Sequence, residues 1–304
     1  MKKKLTIATR QSPLALWQAN FIKAALNKLW PSLEIDLLPL TTSGDTFLKD
    51  RLQAVGSKGL FVKELEEALL DGRADIAVHS MKDVPAMQPE GLSLPVICKR
   101  HSPFDALVSQ RYTLDTLPKD AIIVTSSLRR QAQLSRLKPD VTIKLLRGNI
   151  HTRLDKLAAN DFDAIILAEA GLERMGINVP YQSLNAQQML PACGQGALTI
   201  ECRANDDKTL ALIQPLNDES TALSVKTERI INAALGGNCH VPVAIYAQIT
   251  LDDKLSIEAK VFDIHGKKTC HTTQLGELTQ YKALAKAAAD HLIAEGAMTL
   301  LNAH

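Results

Sequence analysis

The chain has 304 residues, of which 46% are hydrophobic and 22% are charged, and its formal net charge is +2. This composition is typical of a globular protein and excludes a disordered chain, and the small net charge argues against a globally basic nucleic-acid-binding protein. No stretch reaches the roughly 18 apolar residues that a membrane-spanning helix needs, so no membrane partner is expected. A chain of this length is expected to form two or three domains.

The cysteines and the N-terminal residues are typical of a protein in a reducing compartment. Five cysteines are widely spaced and include no Cys-x-x-Cys pair. Their odd number and spacing argue against a disulfide framework and a zinc site, and are typical of a reducing compartment. The basic residues at 2–4 are followed by an apolar run that a charge interrupts too soon for a signal peptide. We therefore predict a cytoplasmic protein.

The first two-thirds of the chain alternate short apolar runs with helical patterns, which is typical of βαβ units on a mostly parallel sheet. In the first part, strands are predicted at 5–8, 34–40, 75–79 and 92–98, and helices at 13–29 and 61–70. Ser12 and Pro13 supply an N-cap and a first-turn proline at the start of the first helix. The polar run 99–103 then predicts a crossing to a second lobe.

The second lobe repeats this alternation. Strands are predicted at 121–125, 141–145 and 164–168, and helices at 128–137, 152–160 and 171–175. A strand-like run at 197–202 is predicted to return the chain to the first lobe. These patterns predict a first lobe of residues 1–99 with 194–217 and a second lobe of residues 100–193.

The last third changes to hairpin-linked strands between two helices. Helices are predicted at 219–235 and 280–301, and strands at 243–249, 255–261 and 268–273. Short antiparallel strands with flanking helices predict a small α+β domain at residues 218–304. The complete prediction is an α/β fold with two lobes and a C-terminal α+β domain.

The basic residues are unevenly placed along the chain. Between Thr125 and Arg153 there are seven arginines and lysines and one acid, Asp140, whereas the rest of the chain is net acidic. Ser126 or Ser127 can cap the helix predicted from residue 128, and a helix N-terminus beside arginines is a ready site for an anion. The basic region therefore predicts a defined anionic ligand.

Polar and charged residues also follow the predicted strands, where the carboxyl ends of strands line a cleft in two-lobed α/β proteins. These strand-end residues are Arg10, Ser80, Lys82, Asp83, Thr125, Ser127, Arg129, Arg130, Arg147, Asn149 and Arg153. The functional interpretation is an arginine-lined cleft that binds carboxylates. The alternative is that the arginines form a solvated helix face.

Three further positions each allow two interpretations. Asp83 is a candidate acid/base inside a cationic cleft or an ion-paired turn residue. The segment 43–59, which contains Lys58, is interpreted as a mobile loop over the cleft or as a plain surface loop. Cys239 follows two glycines between a helix and a strand, where a thiol can be reactive, but an incidental loop cysteine fits the same pattern.

Seven segments of the sequence resemble the porphobilinogen deaminase (hydroxymethylbilane synthase) family, in the same order and nearly from end to end. The segments are IATRQSPLA at 7–15, GLFVKELE at 59–66, AVHSMKDVP at 77–85, TSSLRRQ at 125–131, LRGN at 146–149, GQGA at 194–197 and NCHVP at 238–242. One such short segment would be weak evidence, but seven spread over more than 200 residues are specific.

The resemblance implies two lobes like those of periplasmic binding proteins and a third domain whose Cys239 holds a dipyrromethane cofactor through a thioether. It implies an enzyme that deaminates four porphobilinogen molecules, joins them head to tail on this cofactor, and releases hydroxymethylbilane by hydrolysis for tetrapyrrole and haem biosynthesis. It also implies a monomer that passes its product to the next enzyme of the pathway.

The resemblance assigns a role to each candidate residue. Asp83 would stabilise the cation that remains when ammonia leaves the substrate, and Cys239 would be an anchor rather than the turnover nucleophile. The loop around Lys58 would cover the cleft. Further hydrogen bonds would come from Ser80, Thr125, Ser127 and Asn149, and the carboxylates of the pyrroles would be neutralised by Arg10, Lys82, Arg129, Arg130, Arg147 and Arg153.

The competing hypothesis is a two-lobed solute-binding or ligand-sensing protein without catalysis. It would explain an anion-binding cleft, but it would leave Cys239 and the third domain without a role.

Overall fold

A computed structural model describes residues 2–44, 59, 61–146, 148–237 and 241–302 of the chain. These residues form two compact units, Met1–His101 with Ala197–Ala222 and Ser102–Gly196 with Leu223–His304. Within the described ranges, no helix combines the length and apolar character that crossing a membrane requires.

The helices and strands are numbered in chain order. The strands are β1 (Lys4–Arg10), β2 (Glu34–Leu40), β3 (Ile76–Ser80), β4 (Leu92–Ile97), β5 (Asp105–Val108), β6 (Ile122–Val124), β7 (Thr142–Lys144), β8 (Ala164–Ala168), β9 (Tyr181–Leu184), β10 (Leu198–Arg203), β11 (Val243–Ile249), β12 (Lys254–Phe262) and β13 (Thr269–Glu277). The α-helices are α1 (Pro13–Leu29), α2 (Lys63–Leu70), α3 (Leu128–Leu137), α4 (Ile150–Ala158), α5 (Glu169–Arg174), α6 (Asp207–Ile213), α7 (Glu219–Ala234), α8 (Tyr281–Ala294) and α9 (Ala297–Asn302). Short 3-10 helices lie at Met81–Asp83, Gln214–Leu216 and Leu278–Gln280.

The first unit is built on a five-stranded sheet in the order β2-β1-β3-β10-β4. Strands β2, β1 and β3 are parallel, and β10 is antiparallel to both of its neighbours. Side chains of a strand point alternately to the two faces of the sheet. Accordingly, Ile7 of β1 packs in the cluster that includes helix α1, whereas the adjacent Ala8 packs with helix α2.

The second unit contains a sheet with the same arrangement, in the order β7-β6-β8-β5-β9. Strands β7, β6 and β8 are parallel, and β5 is antiparallel to both β8 and β9. Strands β5 and β9 were not predicted from the sequence, because each has only four residues and carries too little periodicity to separate it from a loop.

The C-terminal part of the second unit is an antiparallel sheet in the order β11-β12-β13, and helices α8 and α9 cover one of its faces. The predicted α/β class, with two sheet-rich lobes and a small C-terminal α+β domain, is therefore confirmed. The single helix predicted at 280–301 is wrong, because Gly296 adopts a φ of +95° that ends α8 before α9 begins. The proposed domain boundaries at 99, 193 and 217 stay a prediction.

The turn between β12 and β13 packs against the helix that carries Arg129 and Arg130. Gly266 in this turn has a φ of +68°, and a Cβ atom there would collide with the backbone oxygen of Ala132 on α3. Arg136, also on α3, donates hydrogen bonds to the carbonyl oxygens of Gly266 at 3.1 Å and Lys267 at 3.3 Å. The turn thus joins the C-terminal sheet to α3 within one unit.

We expect Gly266→Ala to lower the free energy of unfolding by about 2–4 kcal/mol, because the new methyl group adds a backbone clash to the cost of a left-handed conformation. The matched control is Gly176→Ala, where φ is +59° but no atom lies within 4 Å of the added Cβ. The control incurs only the conformational cost of about 1–2 kcal/mol. Chemical denaturation of both variants measures the difference, and equal losses would contradict the close approach to α3.

Candidate functional site

A pocket in the first unit collects three of the predicted site residues. Strands β1 and β3 are parallel and therefore end at the same edge of the sheet. Arg10 is the last residue of β1, Ser80 is the last residue of β3, and Asp83 follows on a 3-10 helix. All three line one small cavity with a volume of about 50 Å³. Parallel pairing of β1 with β3 thus brings these three predicted side chains together.

Two further residues of this pocket were not found from the sequence. The Arg10 guanidinium carbon lies 4.3 Å from the centre of the Phe61 ring, within the range of a cation–π contact. Gln18 of α1 is buried and donates a hydrogen bond from Nε2 to the Ser80 Oγ at 2.8 Å. The signal that could have identified Gln18 is a polar residue next to Ala19 and Ile22 on the buried face of α1.

Asp83 is the exposed carboxylate of this pocket. It has no hydrogen bond or ion pair with another described residue, so its oxygens can accept hydrogen bonds from a ligand. Lys82 precedes it and is half-buried. A guanidinium and a carboxylate in one pocket can hold an anionic group and, beside it, an N–H group or a developing cation.

Two predicted arginines of the second unit pair with a buried acid, Asp105, that was not predicted from the sequence. Arg129 Nη1 and Nη2 donate to the two oxygens of Asp105 at 2.7 and 3.2 Å, and Arg130 Nε donates to Oδ1 at 3.0 Å. Gln195 Nε2 donates to the same oxygen at 3.0 Å. Asp105 is 0% exposed, and Arg129 and Arg130 are 4% and 8% exposed. The solvated-face interpretation is therefore wrong for these two arginines.

The charges of this buried group do not cancel. Burial alone would raise the pKa of Asp105, but the charges and hydrogen bonds of Arg129 and Arg130 outweigh it and hold that pKa well below its usual range. Burial lowers the pKa of Arg130, and the charge of Arg129 lowers it further, although Asp105 opposes both effects. One carboxylate thus faces two guanidinium groups, and the group keeps an excess positive charge.

Two predicted polar residues, Thr125 and Ser127, accept hydrogen bonds from backbone N–H groups at the N-terminus of α3. The Ser127 Oγ accepts a hydrogen bond from the Arg130 N–H at 3.5 Å, and the Thr125 Oγ1 accepts from the Ser127 N–H at 3.2 Å. Both oxygens act as acceptors in these bonds, which leaves their O–H groups as possible donors. The two residues therefore order the start of α3 beside the paired arginines.

The start of α4 carries Asn149 and Arg153. The Asn149 Oδ1 caps this helix by accepting from the Thr152 N–H at 2.9 Å, and Arg153 Nε donates to the Gly148 carbonyl at 2.8 Å. Burial lowers the pKa of Arg153, and the charge of Arg130 lowers it further. Within the described part of the chain no carboxylate pairs with Arg153, so this third guanidinium group adds to the excess positive charge.

Three predicted site residues, Lys58, Arg147 and Cys239, lie outside the described residues. Asp105 could have been noticed as an acid that directly precedes the apolar run 106–108. Its significance depends on β5, which the sequence analysis did not identify.

Comparison with known proteins shows matches along almost the whole chain. A family model described as porphobilinogen deaminase, dipyromethane cofactor binding domain, matches residues 5–211, and one described as porphobilinogen deaminase, C-terminal domain, matches residues 222–294. Proteins named porphobilinogen deaminase from Legionella pneumophila strains Lens and Paris are each 56% identical over 302 residues, covering 99% of this chain and 98% of the relative. The protein of strain Philadelphia 1 is 55% identical over the same length.

Similar solved structures include an ancestral cationic amino acid solute-binding protein, with 13% identity and a TM-score of 0.44 over 70% of this chain and 88% of that chain. The regulatory domain of an OxyR2 variant from Vibrio vulnificus has 13% identity and a TM-score of 0.41 over 71% of this chain and 96% of that chain. Sequence identities and TM-scores this low establish neither a shared fold nor a shared function.

Proposed function

The chain belongs to the porphobilinogen deaminase family, and from this membership we propose its reaction. It deaminates four porphobilinogen molecules, joins them head to tail on a covalently attached dipyrromethane, and releases hydroxymethylbilane by hydrolysis. It is thus a transferase of tetrapyrrole and haem biosynthesis. The observation that carries the proposal is 56% identity over 302 residues to proteins of that name, which spans both family domains.

The buried cations of the second unit fit an anionic pyrrole cofactor. Arg129 and Arg130 share one carboxylate, Asp105, and Arg153 adds a charge that no described acid pairs. Guanidinium groups bind carboxylates through paired N–H donors. These three residues, with Arg147, would hold the acetate and propionate groups, and Cys239 would supply the thioether sulfur. When bound, the dipyrromethane supplies the pyrrole end to which substrate units are joined.

The pocket of the first unit fits the substrate. Each porphobilinogen carries an acetate and a propionate, and Arg10 with Lys82 would neutralise them while Ser80 and Gln18 offer hydrogen bonds. Asp83 is exposed in this pocket and can accept pyrrole N–H groups, stabilise the cation left by loss of ammonia, and take part in proton transfer. Asp83 is therefore our proposed catalytic residue, and Cys239 our proposed cofactor attachment site.

Other features of the proposal stay predictions. These are a cytoplasmic location, a monomeric state, and transfer of the product to the next enzyme of the pathway. A solute-binding or ligand-sensing function would leave the C-terminal match at 222–294 unexplained, and we do not favour it.

Intact-mass spectrometry of the protein from normally growing cells tests the proposed function. We expect the chain to carry the added mass of one dipyrromethane, and peptide mapping to place it on Cys239. Cys239→Ser should remove the added mass, whereas Cys193→Ser should keep it, since Cys193 is a half-buried cysteine at a different position. An unmodified wild-type chain that forms no hydroxymethylbilane from porphobilinogen would contradict the proposal.

A further inference from the structure

Behind the pocket of the first unit lies a group of ionisable side chains that the proposed function does not use. His79 Nε2 and Glu201 Oε2 are 2.9 Å apart, and their side chains are only 4% and 1% exposed. The second Glu201 oxygen, Oε1, is buried and has no hydrogen-bond partner among the described residues. A buried carboxylate oxygen without a partner is energetically costly, which is a reason to look for a role.

The third member of the group, Glu66, lies on helix α2. Val62, Leu65, Glu66 and Leu69 recur at i, i+3, i+4 and i+7, which places Glu66 on the face that packs against the sheet. Glu201 projects from β10 on the face opposite to Ile200, which packs on the α1 side, and this is the face that α2 covers. An apolar residue would be expected on this face, so the acid at position 66 itself indicates a functional role.

The group adjoins the substrate pocket through the end of β3. His79 lines that pocket and directly precedes Ser80, which ends the strand, and Asp83 follows three residues later. A change of charge at the half-buried Glu66 is therefore made beside the buried His79–Glu201 pair, close to where an anionic substrate would bind. Charges in such positions are screened less than charges in open water.

We propose that Glu66, on the helix face above the buried His79–Glu201 pair, gains and loses a proton behind the Arg10–Asp83 pocket, and that its charge sets how tightly that pocket holds a carboxylate substrate. This inference rests on the proposed function. Glu66 is a positioning residue in this proposal, because it acts through the field in the pocket and does not touch the substrate. Protonated Glu66 leaves the pocket more attractive to anions, and ionised Glu66 makes it less so.

The electrostatics place this change near neutral pH. The pKa of Glu66 is raised to about 7, mainly by burial and next by the charge of Glu201; His79 acts in the opposite direction, and Glu67 contributes a smaller increase. Other charged groups on or beside α2 are Lys63 and Glu64 of the same helix, Arg10 on β1 and Arg203 on β10; Glu64 accepts a hydrogen bond from the Ser43 N–H at 2.7 Å. Arg203 bonds to Asp206 at 2.9 Å and to the carbonyls of Leu69 and Ala74.

The test compares Glu66→Gln with the wild-type enzyme between pH 6 and 8.5, using porphobilinogen as substrate. We expect kcat/KM of the variant to equal that of the wild type at pH 6 and to be roughly threefold higher or more at pH 8.5, since only the wild type gains a charge. The kcat values should stay within about twofold of each other at every pH, because Glu66 does not contact the reacting atoms. A purely structural role would change both parameters without this dependence on pH.

The matched control is Glu67→Gln, which removes the same formal charge from the next residue, on the exposed side of α2. The ratio of its kcat/KM to that of the wild type should not vary with pH. A flat ratio for Glu66→Gln, or equal pH-dependent ratios for both variants, would overturn the inference. Either result would leave the proposed function intact, because that function fails only if the wild type forms no product.

Denaturation provides a second readout that does not depend on activity. A raised pKa in the folded state means that the unfolded chain releases the Glu66 proton first, so wild-type stability falls as the pH rises from about 4.5 to about 7. Glu66→Gln cannot release this proton, so its stability should not fall in the same way. The denaturation midpoint of the variant should therefore rise relative to that of the wild type between pH 5 and pH 8. A constant difference would show that Glu66 does not titrate in this range and would overturn the inference.

Discussion

Asp83→Asn is expected to slow the release of ammonia from porphobilinogen by about 10²–10⁴-fold, the usual contribution of a positioned acid or base. Asp83 is exposed in the pocket that also contains Arg10 and Ser80, and no described residue pairs with it. Asparagine keeps the shape of the side chain but loses the negative charge that would stabilise a developing cation. Single-turnover measurement of ammonia release checks this rate directly.

Substrate binding and stability should change far less in this variant. Because Asp83 has no partner among the described residues, its replacement should alter the free energy of unfolding by no more than about 0.5 kcal/mol. Glu90→Gln is the matched control, since Glu90 is an exposed acid of the same unit outside the pocket. A normal first release of ammonia by Asp83→Asn would show that this carboxylate is not catalytic.

Asp105→Asn is expected to lower the free energy of unfolding by about 3–5 kcal/mol, the usual cost of removing one partner from a buried ion pair. The change leaves the guanidinium groups of Arg129 and Arg130 buried without this counter-charge. The loss should be nearly the same from pH 5 to pH 8. The folded-state pKa of Asp105 is held well below its usual range, so the stability that the carboxylate contributes is present above about pH 4 and is lost as the pH falls further.

Urea denaturation of Asp105→Asn and of a control separates burial from charge. The control is Asp290→Asn, which also replaces an ion-paired aspartate by asparagine. Asp290 and its partner Lys286 are both exposed. An exposed pair of this kind contributes about 0–1 kcal/mol. Equal losses in the two variants would contradict the structural role of the Asp105 group. If Asp105→Asn does not accumulate as a folded protein, Asp105→Glu should restore the pairing in part and recover folding.

Site residues that directly follow a clear strand pattern could be predicted from the sequence. Arg10, Ser80 and Asp83 follow apolar runs long enough to be identified as strands, and parallel pairing of β1 with β3 brings them to one edge. The start of α3 was predicted for the same reason, since Ser127 is an N-cap that the structure retains. The helix break at Gly296 was missed because an alanine- and leucine-rich pattern continues on both sides of it.

The role of Arg129 and Arg130 could not be derived from local patterns. Asp105 lies 24 and 25 residues earlier in the chain, at the start of a four-residue strand that becomes significant only when it inserts between β8 and β9. The sequence predicted two arginines available to a ligand, and the structure adds a buried carboxylate that holds both. Whether they also bind cofactor carboxylates stays a proposal.

By itself the sequence determined the fold class, the basic region and the family, because periodicity, charge count and motif order depend only on the order of residues along the chain and not on which residues pack together. Only the tertiary structure decided which charges are paired. Asp105 holds Arg129 and Arg130, Glu201 meets His79 from a strand more than a hundred residues later, and Asp83 has no described partner. The physical reason is that the energy of a charge depends on its distance from other charges and on its burial, and both are set by how distant segments pack.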